Sequence, residues 1–254
     1  MEVHAHAHTE RKNWKHYFWE FLMLFLAVFC GFLAENFREH IVEHQREKVL
    51  MKSMLKDLQA DTVSFSQMIR GISDYNTHID SLIAIINNNP DWNKSAKEIY
   101  QQQVWINLYF KAVYSDRTIM QLKNSGNFRL IRNTTVSDAI IQYDGYVRNF
   151  VISMQDEGLL EQWKKVDNYS ADIFKSSVFR AWMEAWIESG STYFAIQLPP
   201  IPYFLSTDKK QIDNYINLLD KYAVFNSWFI QNVQSAIKQA KDLDLLIKKE
   251  YHLQ

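Results

Sequence analysis

The sequence predicts an all-α protein in which one N-terminal transmembrane helix continues into a long coiled-coil-like helix and is followed by a helical-bundle domain. Three observations predict this. The 254 residues include only six Gly and four Pro, too few breakers for the tight turns of sandwiches, barrels or phosphate-cradling loops. Residues 21–34 (FLMLFLAVFCGFLA) carry no charge. From that run a four-and-three spacing of mostly apolar residues continues deep into the charged sequence. The length suffices for one large domain or two small ones. With 28 basic and 29 acidic residues the net charge is −1, which argues against nucleic acid as a partner. The single Cys excludes an intramolecular disulfide and a thiolate metal cluster.

The organisation expected is a His-rich cytoplasmic tail (1–16), a transmembrane helix (17–37), a juxtamembrane long helix (38–89) and a helical domain (90–254). Residues 17–37 admit only Glu20, Glu35 and Asn36 as polar intruders. At about 1.5 Å per residue they extend roughly 30 Å, the thickness of a bilayer's hydrocarbon core. Trp14, Tyr17 and Trp19 stand at the leading edge, where amphipathic rings prefer the headgroup level. Signal-peptide cleavage after Ala34 would place bulky Phe32 where a small residue is needed, and lipoprotein processing at Cys30 would place Phe29 there. An uncleaved anchor is expected. Arg11, Lys12 and Lys15 precede the span, whereas Glu35 is the first charge near its far end. The positive-inside tendency then keeps the tail in the cytoplasm, although Arg38, Arg46 and Lys48 follow soon after.

The four-and-three spacing starts at His16 and Glu20 and passes through Met23, Ala27, Cys30, Ala34, Phe37, Ile41, His44, Lys48, Met51, Leu55 and Leu58 to Ile72. Such spacing forms the seam of a left-handed coiled coil. Ala27, Cys30 and Ala34, with Gly31 beside them, are small enough to let membrane helices approach closely. A parallel homo-oligomer is expected, with Met23, Ala27, Cys30, Ala34, Phe37, Ile41, Met51, Leu55 and Leu58 as its seam. The alternative is that the outer half packs on the same chain's other helices.

Glu20 lies about one turn inside the membrane, with His16 one turn nearer the cytoplasm. Ionisable residues in spans are costly and face protein or water. Repeated about an axis, Glu20 would form a carboxylate ring for cations or protons; otherwise it snorkels and pairs with Lys15 or His16 of a neighbour. His4, His6 and His8 alternate with Ala, so an extended tail offers zinc, nickel or copper three imidazoles on one face. Without that metal no cofactor is expected. His40-Ile-Val-Glu-His44 matches the zinc-hydrolase string H-x-x-E-H, but no downstream Glu supplies a third ligand, and coincidence in a charged stalk is the expectation.

Further along, the first helix should stop at Asn87-Asn88-Asn89-Pro90. A capping box at Ser95-Ala-Lys-Glu98 should begin a second helix reaching about Tyr114. Ser115 or Asp116 should open a short third helix, and Thr134 or Ser137 should cap a long one toward Lys165. Another helix is expected over 170–188, an apolar loop over 189–206, and a last helix after Thr207-Asp208 with Ile212, Ile216, Leu219, Val233, Ile237 and Leu246 on its buried side. The tryptophans beyond the span are expected in the core or at interfaces. No phosphate loop, dinucleotide fingerprint, nucleophile elbow or internal repeat occurs.

The segments HYFWEFLMLFLAVFCGFLAENFREH, EHQREKVLMKSMLKDLQADT and TIMQLKNSGNFRLIRNTTVSDAIIQYD resemble an uncharacterised family of single-span bacterial membrane proteins with an "LK-SGN-RLI-N" turn in a helical extracytoplasmic domain. The likeness covers the N-terminal quarter and residues 118–144. It implies a bacterial inner membrane with residues 38–254 in the periplasm, and no established activity. Within the turn, Gly126 should supply a permissive backbone while Phe128, Leu130 and Ile131 return to the core. The function expected is a non-enzymatic homo-oligomer whose helical domain scaffolds or senses envelope partners in contact with the lipid bilayer. The alternative is a cation or proton channel with a Glu20 ring.

Overall fold

Few breakers do yield a nearly all-helical chain. The computed structural model describes residues 13–89, 91–190 and 196–253. Among them there is no strand, and one isolated antiparallel bridge joins Phe174 to Phe204. The order is α1 (Trp14–Asn88), α2 (Ala96–Ile106), α3 (Arg117–Asn124), α4 (Thr134–Val147), α5 (Leu160–Ser170), α6 (Ser176–Ser189) and α7 (Lys209–Tyr251). The chain divides into two units, Met1–Leu50 and Met51–Gln254.

In the first unit the described residues belong almost wholly to α1. Its large apolar side chains stand exposed, with Phe21 at 65%, Met23 at 67% and Phe32 at 68%. This stretch is long and apolar enough to cross a membrane.

In the second unit α1 turns amphipathic. Met51, Met54, Leu58, Asp61, Phe65, Met68, Ile72, Tyr75, Ile79, Leu82 and Ile86 are all buried. They follow one another by alternating steps of three and four residues, which hold one helix face. α7 has the same alternation from Ile212 through Tyr215, Leu219, Tyr222, Asn226, Phe229, Val233, Ala236, Ala240 and Leu243 to Ile247, all buried. The two faces meet antiparallel. Asn226 Nδ2 donates to Asn76 Oδ1 at 2.9 Å, Asn76 Nδ2 donates to Ala223 O at 3.4 Å, and Tyr75 meets Tyr222 edge-on. α4 and α5 pack on α7.

The path from α4 to α5 is helical throughout but widens to π-helix over Arg148–Ile152 and Met154–Leu159. Gly158 lies in the second widened turn. A Cβ there would come within 2.5 Å of the Phe225 ring on α7, so the missing side chain is what lets the two elements approach. Around α2 and α6 an aromatic layer forms. Tyr100 stacks on Phe204 at 5.4 Å, meets Phe174 edge-on, and donates its hydroxyl to Tyr203 O at 2.8 Å.

Several expected boundaries shift. α2 ends at Ile106 rather than Tyr114, because residues 107–116 form an irregular segment whose backbone is held by side chains of other elements. Ser95 makes no capping bond; Asp91 caps a 3₁₀ turn before α2 instead. Asn133 rather than Thr134 caps α4, accepting from Val136 N. The helix expected to end near Lys165 continues to Ser170, and the next begins at Ser176, because Phe174 turns inward between them and is fully buried. α7 begins after Thr207-Asp208 as expected, and Asp208 caps it, accepting from Gln211 N at 2.9 Å. On α7 the expected Ile216, Ile237 and Leu246 flank the buried line and are half-buried, since Tyr215, Ala236 and Ile247 take the central positions.

Gly158→Ala should destabilise the protein by about 1–3 kcal/mol, the usual cost of overpacking. The same change in a Phe225→Ala background should cost little, as a double-mutant cycle of thermal melts would reveal.

Candidate functional site

The chain between α2 and α3 has an unusual problem of satisfaction. Residues 107–116 are non-helical apart from two turn-closing bonds at their start, and no strand pairs with them. A buried amide left unpaired costs about 1–3 kcal/mol. Side chains solve this. On α1, Asp61 Oδ1 accepts from Ser115 N at 2.6 Å, Ser64 Oγ accepts from Val113 N at 2.9 Å, and Asp57 Oδ2 accepts from Thr118 N at 2.9 Å. The π-helical turns supply Gln155, fully buried, whose Oε1 accepts from Ala112 N at 2.6 Å. The main-chain carbonyl of Gln155 accepts from Tyr109 OH at 2.8 Å.

A third carboxylate completes the cluster. Asp144 of α4 accepts from Tyr114 OH at 2.8 Å and from Arg148 Nε at 2.9 Å, and its other oxygen takes the Lys123 ammonium. Arg148 also reaches Asp116 at 2.8 Å, with its guanidinium over the Tyr114 ring. Arg117 donates to Asp57 Oδ1 at 2.9 Å, and Tyr143 OH donates to Asp61 Oδ2 at 2.7 Å. Asp57, Asp61 and Asp144 are all buried.

Their protonation differs with their partners. Burial pushes Asp61 up from 3.8 to about 6, against the lowering pull of Ser115 and Tyr143, and nearby Asp57 adds to the rise. Burial would also raise Asp144, but Lys123, Tyr114 and Arg148 outweigh it and hold Asp144 below the ordinary carboxylate range. Burial first, then the neighbouring carboxylates, push the Tyr143 and Tyr114 phenols up. Both oxygens of each carboxylate accept from donors of the same chain, which favours the ionised form; at Asp61 burial opposes it.

The "LK-SGN-RLI-N" turn feeds this cluster. Lys123 pairs with Asp144. Gly126 takes φ +66°, the left-handed region that suits glycine. Leu130 and Ile131 are buried, while Phe128 is only half-buried. Asn133 Nδ2 donates to Glu250 Oε2 on α7 at 2.7 Å.

The residues singled out from sequence fall elsewhere. Glu20 and His16 lie one turn apart on exposed α1 surface, as do Met23, Ala27, Cys30, Ala34, Phe37 and Ile41. Met51, Leu55 and Leu58 do not line a free seam: they are 0%, 6% and 1% exposed. The chain's own packing buries that part of the stripe, as the alternative reading held. His4, His6 and His8 lie outside the described residues. His44 Nδ1 meets Glu47 Oε2 at 3.4 Å, and among the described residues no three His, Cys, Asp or Glu side chains converge as metal ligands. Sequence reasoning missed Asp57, Asp61, Asp144 and Gln155. Asp61 did leave a signal, since it occupies a core step of α1 where an apolar residue is the rule.

For Asp61 the folded pKa exceeds the unfolded one, so the folded state binds more protons between pH 3.8 and about 6. Stability should therefore fall as pH rises through that window, by about 2–3 kcal/mol in all. Asp61→Asn, which keeps an acceptor for Ser115 N, should stabilise the protein by about 1–3 kcal/mol at pH 7.5. That gain should shrink as pH falls from 6 to 4, as urea unfolding across the range would show.

Comparison of the chain with protein-family models, with curated proteins and with solved structures gives no match.

Proposed function

We propose that this chain is a non-enzymatic single-pass membrane protein. In this reading α1 self-associates within the bacterial inner membrane, the N-terminal tail is cytoplasmic, and residues 38–254 act in the periplasm as a helical scaffold or sensor for envelope partners. One observation carries the reading. Between Trp14 and Ile41, α1 leaves nearly every large apolar side chain exposed, whereas from Met51 onward the same helix buries its apolar face. An exposed apolar stretch of that length is at home in lipid or against another copy. Met23, Ala27, Cys30, Ala34, Phe37 and Ile41 remain available for a parallel seam, in which the small residues allow close approach. The buried carboxylates support a structural rather than catalytic role, because donors of the same chain occupy them.

The test is the mass of the full chain in detergent or nanodiscs by light scattering. A defined oligomer is expected, and Ala27→Leu with Ala34→Leu should weaken it about tenfold, in line with the 1–2 kcal/mol of a close membrane-helix contact. A wild-type monomer would overturn self-association. Glu20→Gln should leave the mass unchanged; loss of proton or cation flux in that variant would instead favour the channel. For orientation, Cys30→Ser with Val113→Cys places one thiol on an exposed site, at 68% for Val113. A membrane-impermeant maleimide should label it in spheroplasts without lysis.

A further inference from the structure

Where α1, α2 and the irregular segment meet in the second unit, a cavity of about 200 Å³ is lined by Gly71, Asp74, Tyr75, Thr77, His78, Trp105 and Phe110. Its walls are aromatic. Tyr75 and Phe110 stand nearly perpendicular, 77° apart with centroids at 5.4 Å, and form a corner. Trp105 stacks on His78 at 5.4 Å and 9°. Gln102 Oε1 bonds His78 Nδ1 at 2.7 Å and fixes that ring, and Trp182 meets Trp105 edge-on. Gly71 lies under Phe110: a Cβ there would lie 3.2 Å from its ring, so the glycine lets Phe110 settle a few tenths of an ångström closer to α1. Phe110 nevertheless remains 42% exposed, an aromatic ring held at the surface beside a cavity.

The charge at the mouth decides what such a box accepts. Asp74 is exposed and has no ion pair among the described residues. A negative charge beside aromatic rings repels anions and leaves a neutral apolar guest without a partner for the carboxylate. A cation with an apolar surface satisfies both, through ring quadrupoles and the Asp74 charge. A metal ion would want several hard or imidazole donors, and one carboxylate beside an engaged histidine does not provide them. The volume lies below the roughly 300–1,000 Å³ of sites for larger ligands, which suits a single small headgroup.

We propose that the Tyr75, Trp105, Phe110 and Asp74 box binds a small alkylated ammonium group, such as a trimethylammonium headgroup, presented by a lipid or by a free solute. The proposal is independent of how many copies of α1 associate. It gives the periplasmic domain a ligand that a sensor would need.

The experiment is saturation-transfer NMR on the full chain in a maltoside detergent, which carries no ammonium of its own. Choline is the probe, and 3,3-dimethylbutan-1-ol is its uncharged isostere. Saturable transfer to the choline N-methyl protons is expected in the millimolar range, with the isostere at least about tenfold weaker. Asp74→Asn, exposed and isosteric, should weaken choline about tenfold, and Trp105→Leu at least as much, both with unchanged helical circular dichroism. Choline that never saturates, an isostere that binds equally, or an Asp74→Asn variant with wild-type affinity would each overturn the proposal. Tighter binding of dihexanoylphosphatidylcholine than of choline, measured below its micelle concentration, would support a lipid headgroup. Equal binding would support a free solute.

Discussion

The second unit depends on side-chain oxygens standing in for a missing backbone ladder. Residues 107–116 pass among helices as an irregular segment with no neighbouring strand, so amides beyond its first two residues lack a backbone ladder. Asp61 and Ser64 on one stretch of α1, and Gln155 from the π-helical turns, accept from three of them, Ser115, Val113 and Ala112, while Asp57 accepts from Thr118 N in the first turn of α3. Charge-assisted bonds of this kind are roughly twice as strong as neutral ones; at Asp144 its donors outweigh the cost of burial, whereas at Asp61 burial outweighs them. With the segment held, Tyr114 and Asp116 are delivered to Asp144 and Arg148, and α3 begins where Thr118 meets Asp57. α4 is thereby joined to α1 through Tyr143 and Asp61.

The π-helical widening follows from the same constraint. A π turn adds a residue without ending the helix, and Gln155 falls inside one, fully buried, with both its amide and its carbonyl committed to the irregular segment. The neighbouring Gly158 lets α7 close on that wider turn. Asn76 and Asn226 play a comparable part where α1 meets α7. Asn226 sits within the buried line of α7 and Asn76 beside that of α1, and a slip of register would separate them.

Much of the fold was legible because helices are written in short-range periodicity. The stop after Asn87-Asn88, the Asp208 cap, the Gly126 turn and the amphipathic last helix all follow from residues within a turn of one another. The C-terminal limit of α2 was not legible, since Leu108, Tyr109, Phe110 and Val113 suit a helix as well as a non-helical chain. What decides between those states is a set of acceptors from α1 and the π turns, between about forty and sixty residues away in sequence. The carboxylate cluster was hidden for a related reason: an Asp on a charged-looking helix is ordinarily solvent-facing. Only the observation that Asp61 keeps step with Leu58 and Phe65 would have marked it as interior.

The apolar run near the N-terminus, the absence of breakers and the three-and-four spacing by themselves determined a nearly all-helical chain with one helix able to span a membrane, because hydropathy and helix propensity act locally. Which half of the long stripe the chain buries was decided by tertiary structure. From Met51 onward α7 and the irregular segment occupy that face, so Met51, Leu55 and Leu58 belong to an internal core. The same contacts decided that Asp57, Asp61 and Asp144 lie inside and that Gly71 and Phe110 leave an aromatic box open beside Asp74. Periodicity states which residues share a face; only packing states what covers it.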